Sequence, residues 1–163
     1  MVEYDYVTKK RDEVDPLPER GIGLIRFFLK RVSKLQVMVY RCSGGRLMSR
    51  FLGGFPVCII TTKGARSGAR RRFPLIHLPL GEKKLLVASM GGMDKMPSWY
   101  YNIAANPEVQ IMVDGAEKTY NARRVSDREK AALWPHICSL YPDYDEYQAR
   151  TDRNIPVFEC TEV

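Results

Sequence analysis

Apolar residues between positions 22 and 41 recur at steps of three or four, which is the spacing of one face of an α-helix. This stripe is formed by Ile22, Ile25, Leu29, Val32 and Val39, and it is widened by Phe28, Leu35 and Met38. The polar positions carry a basic set consisting of Arg26, Lys30, Arg31, Lys34 and Arg41. The pattern predicts an amphipathic helix over residues 22–41.

From residue 55 onward, short apolar runs with a two-residue alternation are separated by turns that contain glycine, as in β-strands. The predicted strands cover residues 55–62, 71–80, 83–90, 108–114, 117–125 and 154–163. The Asp114-Gly115 pair is typical of a tight hairpin turn. These strands and turns therefore predict a set of antiparallel hairpins.

Helices are predicted between and after these strands. One covers residues 97–105, with Pro97 in its first turn. A second begins at the capping box Ser126–Glu129 and continues to about residue 140, and Pro135 is expected to distort or divide it. A third covers residues 142–150. Antiparallel hairpins with interposed helices favour a small α+β domain built on a β-barrel.

The chain of 163 residues has the size of a single domain. Residues 1–20 contain many acidic residues and are interrupted by Pro16 and Pro18, so we expect a mobile acidic arm there. Residues 21–163 are then expected to form one domain that includes the helix over residues 22–41.

The charge is strongly biased. The net charge is +7, and the chain after residue 19 carries 23 basic and 13 acidic side chains. Such a surplus attracts anions, whether a polyanionic small molecule, nucleic acid or an acidic membrane surface. A hydrophobic fraction of 45% with 28% charged residues excludes a disordered or fibrous protein. No signal-peptide pattern and no long apolar run occur, so we expect a cytoplasmic protein with reduced cysteines.

Residues 63–72, KGARSGARRR, place a turn between two glycines and surround it with arginines. Backbone N–H groups in such a turn can converge on an anion, and a guanidinium group binds phosphate or carboxylate as a planar fork. The spacing differs from a Walker P-loop, because no Gly-Lys-Ser/Thr follows. The alternative interpretation is a solvated hairpin turn with a basic rim.

Strand alternation divides these arginines between two faces. Arg71 shares one face with Phe73 and Leu75, whereas Arg72 shares the other with Pro74. The arginines of this segment are therefore not expected to serve one ligand together.

Residues 87–102, VASMGGMDKMPSWYYN, join a strand end to a short aromatic helix through two glycines. Trp99 and Tyr100 are suited to covering a flat ring, and Ser89 is suited to hydrogen-bonding its edge. The alternative interpretation is a helix that docks Trp99 into the core.

Three tyrosines cluster near the C-terminus. Tyr144 and Tyr147 share a helical face, and Tyr141 lies one step earlier. A tyrosine hydroxyl can donate a proton to a substrate oxygen or orient it. The alternative interpretation is that all three are packing residues with solvated hydroxyl groups.

Other chemistries lack the residues that they need. His77 and His136 stand far apart, with no paired cysteine or histidine pattern, so no metal site is predicted. No nucleophile elbow or dinucleotide-binding motif occurs. The basic residues form no recognition helix, so nucleic acid is not an expected partner.

The chain resembles the deazaflavin-dependent nitroreductase family of actinobacteria in four ordered segments: TTKGARSGARRRFPL, LLVASMGG, PSWYYNIAANPEVQI and LYPDYDEYQARTDRNIPV. The likeness covers about residues 22–161. It implies a split β-barrel similar to flavin reductases and pyridoxamine-phosphate oxidases. It also implies reduced coenzyme F420 as cofactor, and hydride transfer to a quinone, a nitroaromatic or another activated acceptor.

The resemblance also assigns residues. Those matched to contacts with the cofactor's anionic tail or its deazaflavin ring are Ala65, Arg66, Ser67, Arg71, Arg72, Phe73, Pro74, Leu75, Ile76, Val87, Ala88, Ser89, Met90, Ser98, Trp99, Tyr100 and Asn102. The candidate catalytic residues are Tyr144, Ser89, Tyr141 and Tyr147. Among them, Tyr144 matches the tyrosine most closely tied to substrate reduction.

The chain departs from the family pattern at three positions. Ala65 replaces an arginine in the turn, Ile76 replaces an aromatic residue, and Met90 replaces a lysine. Arg70 and Arg72 restore the lost charge if their side chains face the tail. Ile76 and Met90 are expected to alter the substrate range more than the choice of cofactor.

Two other functions stay open at this point, namely an FMN-dependent oxidase of the wider barrel superfamily and a carrier that holds a lipid or tetrapyrrole without turnover. Since split barrels often pair, a homodimer is a further expectation. The helix over residues 22–41 also has two interpretations. It either associates peripherally with an anionic membrane, near quinones, or packs its apolar stripe on the barrel with the basic residues in solvent.

Overall fold

The computed structural model describes residues 4–15, 22–51 and 53–163, without the side chains of residues 22–30. Its helices are α1 (Ile22–Cys42), α2 (Ser98–Ala105), α3 (Asp127–Leu140) and α4 (Asp143–Arg150). Its strands are β1 (Val57–Lys63), β2 (Arg70–Ile76), β3 (Leu78–Leu80), β4 (Lys83–Val87), β5 (Glu108–Val113), β6 (Ala116–Arg124) and β7 (Val157–Glu162). The types and the order of the predicted elements are confirmed, except that the strand predicted over residues 71–80 is divided into β2 and β3.

The seven strands of the described chain form one antiparallel sheet in the order β2-β1-β5-β6-β7-β4-β3. β2 and β3 lie at opposite edges of this sheet, yet only His77 separates them along the chain. One extended segment therefore pairs with β1 through its first part and with β4 through its second. The sheet must curl until its two edges meet, and the result is the predicted split β-barrel.

Alternate strand residues and one helix fill the barrel. The buried interior cluster consists of Cys58, Ile60, Leu86, Ala88, Trp99, Ile103, Val109, Ile111, Tyr120, Ala122, Phe158 and Cys160. Burying a large apolar side chain of this kind contributes about 1.5–3 kcal/mol. Phe73 and Leu75 of β2 pack against this interior cluster, so the arginine-bearing strand has one face toward the barrel core.

Helices cover the outside of the barrel. α3 and α4 pack on an outer cluster that consists of Ile76, Leu78, Leu85, Val87, Val125, Trp134, Ile137, Tyr141, Tyr144, Ile155 and Val157. On another face, Val37 and Tyr40 of α1 pack against Val57 and Ile59 of β1. The barrel is thus enclosed by helices on two sides.

Two expectations about these elements are wrong. The strand predicted over residues 71–80 is broken at His77, whose N–H donates to the carbonyl of Pro56 at 2.8 Å as the chain changes its pairing partner. α3 continues through Pro135 as one helix, so the expected division is wrong. A proline lacks only its own backbone donor, so the other hydrogen bonds of the helix can still form.

α1 turns three residues of its predicted apolar stripe away from the barrel. The barrel-facing residues Gln36 and Tyr40 are 5% and 0% exposed, whereas Val32, Leu35 and Met38 of the stripe are 37%, 49% and 57% exposed. For these three stripe residues, the interpretation that the stripe packs on the barrel is wrong. The side chains of the stripe before residue 31 lie outside the described ones.

Residues 4–15 lie against α3 and α4, which differs from the mobile arm expected from composition. The buried carboxylate of Asp145 accepts the N–H of Thr8 at 3.0 Å, its hydroxyl at 2.6 Å and the N–H of Lys9 at 2.8 Å. It also accepts the indole N–H of Trp134 at 2.9 Å. One buried acceptor thereby fixes this part of the segment to the domain. The rest of the predicted arm lies outside the described residues.

Lys130 of α3 is a buried amine next to this segment. Its Nζ donates to Gln148 Oε1 at 2.6 Å and to Asn154 Oδ1 at 2.5 Å. The same Nζ lies 4.7–5.4 Å from the centres of three aromatic rings, those of Tyr4, Tyr6 and Trp134. Burial lowers the pKa of Lys130 to about 7, because the charged ammonium loses its hydration.

This buried amine should make the stability of the fold depend on pH. Between pH 7 and the ordinary lysine pKa of 10.5, the unfolded chain binds a proton that folded Lys130 has released. The free energy of unfolding is therefore expected to rise with pH across this window, by up to about 1.4 kcal/mol per pH unit. Urea titrations across the window should show that Lys130→Met loses the rise, while the exposed control Lys95→Met keeps it. Equal slopes for Lys130→Met and the unmodified protein would contradict this assignment.

Candidate functional site

The arginine-bearing turn is held by its own backbone and by one amide side chain. A hydrogen bond of 2.8 Å from the N–H of Gly68 to the carbonyl of Gly64 closes it. Asn102 of α2 accepts the N–H of Ala65 at 3.1 Å and donates to the hydroxyl of Thr62 at 3.0 Å. Buried Asn102 therefore ties the turn to both α2 and β1.

The turn presents positive charge and free donors. Arg66, Arg70, Arg71 and Arg72 are exposed, and none of them pairs with a carboxylate among the described residues. The N–H groups of Arg66 and Ser67 likewise have no hydrogen-bond partner within the described ranges. Guanidinium groups that lack protein partners, set around converging N–H groups, suit a ligand with several negative charges.

β2 distributes its side chains as strand alternation predicts. Phe73 and Leu75 pack against the interior cluster, so Arg71 lies on that same face at the rim. Arg72 and Pro74 occupy the other face. Among the arginines of this strand, Arg71 is therefore the one on the face that packs against the barrel interior.

Trp99 is a core residue. It is 4% exposed, and its ring lies 6.1 Å from that of Phe158. Tyr100 packs on the same phenylalanine at 5.8 Å, whereas Ser98 is exposed at the start of α2. This matches the alternative in which α2 docks its tryptophan into the core. Trp99 and Ala88 belong to the same interior cluster, and contact of Trp99 with a cofactor ring stays a prediction.

The end of β4 continues into a half-buried loop with an unusual backbone. Met90, Gly91 and Gly92 have φ angles of 51°, 68° and 78°, all in the left-handed region. Gly92 is required there, because a Cβ would lie 2.8 Å from the carbonyl oxygen of Tyr147. The loop and α4 are consequently in direct backbone contact.

Two arginines that the motif analysis did not select hold this loop. Arg153 donates to the carbonyls of Ala88 at 3.1 Å and Ser89 at 2.9 Å, and twice to that of Met93. Arg150 donates to the carbonyl of Gly91 at 2.9 Å. Since both arginines bind backbone carbonyls, no pattern of side chains in the sequence marks them. The one feature of the sequence that could have indicated these two arginines is their position directly after the three tyrosines.

The three tyrosines form an aromatic cluster beside the loop. The ring centres of Tyr141 and Tyr144 are 4.9 Å apart, and the hydroxyls of Tyr141 and Tyr147 are 3.2 Å apart. The hydroxyl of Tyr144 has no hydrogen-bond partner among the described residues. Burial raises the pKa of all three tyrosines, so their hydroxyls stay protonated at neutral pH and can donate hydrogen bonds.

These parts lie along β2, in a region that extends from the turn at residues 64–68 to the tyrosines of α4. Val87, Ile76 and Tyr144 belong to the same outer cluster, so the end of β4, the end of β2 and α4 come together. The turn at residues 64–68 lies at the other end of β2. From Arg71 to Ile76 the strand covers about 16 Å, at about 3.3 Å per residue, and the two side chains lie on opposite faces of the strand. A ligand that touches both ends must therefore be long.

A separate groove lies outside this region. It encloses about 830 Å³ and is lined mainly by the hairpin ends of β3–β4 and β5–β6 together with β7. None of the predicted site residues contributes to it. In the described part of the chain, no cluster of three or more His, Cys, Asp or Glu side chains is suited to a metal ion.

The comparisons with known proteins identify the family. The model of the F420H(2)-dependent quinone reductase family matches residues 32–162. The chain belongs to this family. An F420H(2)-dependent quinone reductase of Mycobacterium tuberculosis is 34% identical over 146 residues, which cover 88% of this chain and 94% of the relative. The family resemblance read from the four ordered segments is confirmed, and the chain is an oxidoreductase of the F420H2-dependent class.

Solved structures agree with this family assignment. One similar structure is an F420-H2 dependent reductase, with 40% identity, a TM-score of 0.61, and coverage of 65% of this chain and 94% of its own. Another is described as a domain-swapped dimer, with 33% identity, a TM-score of 0.64, and coverage of 85% and 98%. For this chain, the homodimer stays a prediction.

Proposed function

We propose that this F420H2-dependent oxidoreductase reduces a quinone, a nitroaromatic or another activated acceptor between the end of β4 and the tyrosines of α4. The observation that carries the proposal is the region along β2 itself. It has unpaired arginines and free N–H donors at one end, and protonated tyrosine hydroxyls at the other. A long cofactor that has an anionic tail at one end and a flat ring at the other matches this arrangement of charged and aromatic groups.

The residues present fit the cofactor. Arg66 and Arg71 supply positive charge beside the N–H of Ser67, which suits the phosphate and carboxylates of the tail. Toward the other end, the half-buried Leu75 offers an apolar border for a ring. The unpaired guanidinium groups would repel one another less once an anion neutralised them.

When bound, reduced F420 supplies a hydride from its deazaflavin ring, and the protein supplies position and environment. The apolar border excludes water from the ring and holds the acceptor against it. Tyr144, kept protonated by burial, donates a hydrogen bond or a proton to the acceptor oxygen that gains negative charge. Ser89 and Tyr147 border the same space and orient the acceptor.

A titration with F420 and with FMN tests the cofactor assignment. The fluorescence of F420 should change on binding, and FMN should bind much more weakly. Tight FMN binding with none for F420 would reject the proposal in favour of an FMN oxidase. Reduced F420 mixed with the protein and menadione should lose its reduced-cofactor signal. Persistence of that signal would instead indicate a carrier.

Arg71→Ala is expected to weaken F420 binding by about tenfold, because one charge-assisted contact to the tail is lost. The loss should grow with the number of glutamates in the tail. Fluorescence titration with cofactors of different tail length measures it. Arg128→Ala, at an exposed position on α3, is the matched control. Equal affinity of Arg71→Ala for all tail lengths would remove this residue from the tail site.

The outer side of α1 supports association with an anionic membrane. Val32, Leu35 and Met38 of α1 and Leu47, Met48 and Phe51 of the following loop are exposed, and Met38 and Leu47 line one shallow apolar groove. Lys34 and Arg46 of the same two segments are exposed and pair with no carboxylate in the described ranges. Apolar side chains with adjacent basic ones suit the surface of anionic lipid, where quinones reside. No helix of the described residues is long and apolar enough to cross a membrane.

Sedimentation with vesicles tests the membrane proposal. The protein should pellet with phosphatidylglycerol-containing vesicles and stay in solution with neutral phosphatidylcholine. The double variant Leu35→Glu/Met38→Glu should stay in solution with both. Val163→Glu changes an apolar residue that is 85% exposed, against 49% for Leu35 and 57% for Met38, and should bind like the unmodified protein. Unchanged pelleting of the double variant would contradict the proposal.

A further inference from the structure

Three carbonyls of the segment after β4 are held by a single guanidinium group. Arg153 binds the carbonyls of Ala88, Ser89 and Met93 at 2.9–3.2 Å, and its Nη1 also lies 3.0 Å from Met96 Sδ. In a trans peptide, the N–H of the next residue points opposite to the carbonyl. Fixing the carbonyls of Ala88 and Ser89 therefore directs the N–H groups of Ser89 and Met90 away from Arg153.

The backbone conformation brings these N–H groups together. Ser89 is right-handed helical, with φ −71° and ψ −41°, and Met90 is left-handed, with φ 51°. A right-handed residue followed by a left-handed one forms a concave nest of successive N–H groups, which binds anions. The N–H groups of Ser89, Met90 and Gly91 have no hydrogen-bond partner among the described residues.

The charge behind this nest is not neutralised by a contacting acid. Arg153 is half-buried, and no carboxylate of a described residue lies within ion-pair distance of it. Asp94 acts on it only at longer range, and burial lowers the pKa of Arg153. A half-buried cation bound to carbonyl oxygens raises the positive potential at the N–H ends of those peptides. The nest is therefore suited to negative charge.

We propose that Arg153 is a positioning residue that shapes the N–H groups of Ser89 and Met90 into a binding site for an anionic oxygen on a planar ring. The proposal rests on the proposed function, because the ring belongs to the acceptor or to the cofactor beside β4. When a hydride reaches a quinone, the electron pair displaced from its carbonyl bond moves onto oxygen, which becomes negative until a proton arrives. Donors already in place stabilise that charge in the manner of an oxyanion hole.

Variants of Ser89 separate its N–H from its hydroxyl. Ser89→Pro removes the N–H and fits the observed φ of −71°, since proline requires about −65°. Ser89→Ala removes the hydroxyl and keeps the N–H. Arg153→Lys keeps a positive charge but cannot bind three carbonyls as a fork. Arg128→Lys is the control for an exposed arginine.

The test uses protein loaded with oxidised F420 and two probes of similar shape. 2-Hydroxy-1,4-naphthoquinone is an anion at neutral pH, and 2-methyl-1,4-naphthoquinone is uncharged. Calorimetry should give a preference for the anion in the unmodified protein, Ser89→Ala and Arg128→Lys. This preference should fall by about tenfold in Ser89→Pro and Arg153→Lys, each measured with F420 at saturation.

A second measurement reports the oxygen of the cofactor itself. The visible spectrum of bound oxidised F420 changes when its ring hydroxyl ionises, so a pH titration shows whether the nest serves that oxygen. If Ser89→Pro shifts the ionisation of F420 and keeps the preference for the anionic probe, the nest serves the cofactor. If Ser89→Pro keeps the ionisation and loses the preference, the nest serves the acceptor. If Ser89→Pro changes neither the preference for the anionic probe nor the ionisation of F420, this inference is wrong and the proposed function still stands. Absence of F420 binding to the unmodified protein would overturn the proposed function as well.

Discussion

Asp145→Ala is expected to detach residues 4–15 and to lower the free energy of unfolding by about 3–5 kcal/mol. The carboxylate is 5% exposed and accepts two backbone N–H groups, a hydroxyl and an indole N–H. Alanine supplies no acceptor, so Trp134 would keep a buried donor without a partner. The N–H groups of Thr8 and Lys9 could regain partners only by moving into water.

Chemical denaturation measures the loss of stability, and hydrogen exchange locates it. The amides of Thr8 and Lys9 should exchange much faster in the variant, whereas those of the barrel strands should change only by the global loss. Glu146→Ala is the matched control, because it removes the next carboxylate on α4, which makes no hydrogen bond or ion pair with a described residue. Full protection of both amides in Asp145→Ala would show that other contacts hold the segment.

Asp145 also links this segment to the candidate site. It follows Tyr144 directly on α4. On the same helix, Arg150 donates one hydrogen bond to the carbonyl of Asp15 at 3.0 Å and another to the carbonyl of Gly91 at 2.9 Å. A released segment would therefore loosen the helix that carries the tyrosines and one of the two anchors of the loop. Asp145→Ala should consequently lower turnover even where the barrel remains folded and F420 still binds.

The elements of the fold were predictable because their signals are local. The Asp114-Gly115 turn, the Ser126 capping box and the periodicity of α1 each lie within a few residues. The contacts of residues 4–15 were not predictable, because Thr8 and Asp145 are 137 positions apart and neither type is diagnostic of the other. Composition alone therefore favoured a mobile arm.

The candidate site divides in the same way. The arginine-bearing turn and the tyrosines carry recognisable side chains, so motif analysis found them. Trp99 looked equally suited to a ligand and to the core, and only its packing on Phe158 decides for the core. Arg153 was missed because its partners are backbone carbonyls, whose positions depend on the tertiary fold.

The tyrosine expected to matter most for turnover is Tyr144. Tyr144→Phe should lower the rate of acceptor reduction by about a hundredfold, the lower range for loss of a proton donor. The ring remains, so its T-shaped contacts with Tyr141 and Tyr147 at 4.9 Å and 6.1 Å should persist. The hydroxyl has no hydrogen-bond partner within the described ranges, so its removal leaves no buried group unsatisfied. Stability should therefore stay close to that of the unmodified protein.

Stopped-flow mixing of F420H2-loaded protein with menadione measures this rate, and fluorescence titration measures F420 affinity, which should be nearly unchanged. Tyr141→Phe is the matched control, because its hydroxyl already contacts that of Tyr147 at 3.2 Å and is less free to serve an acceptor. Its effect should be much smaller. Burial raises the pKa of Tyr144, so the rate should also show no loss of a tyrosine proton between neutral pH and pH 10, the ordinary tyrosine pKa. An unchanged rate in Tyr144→Phe would mean that the proton comes from solvent, and that this tyrosine serves the packing of α4 alone.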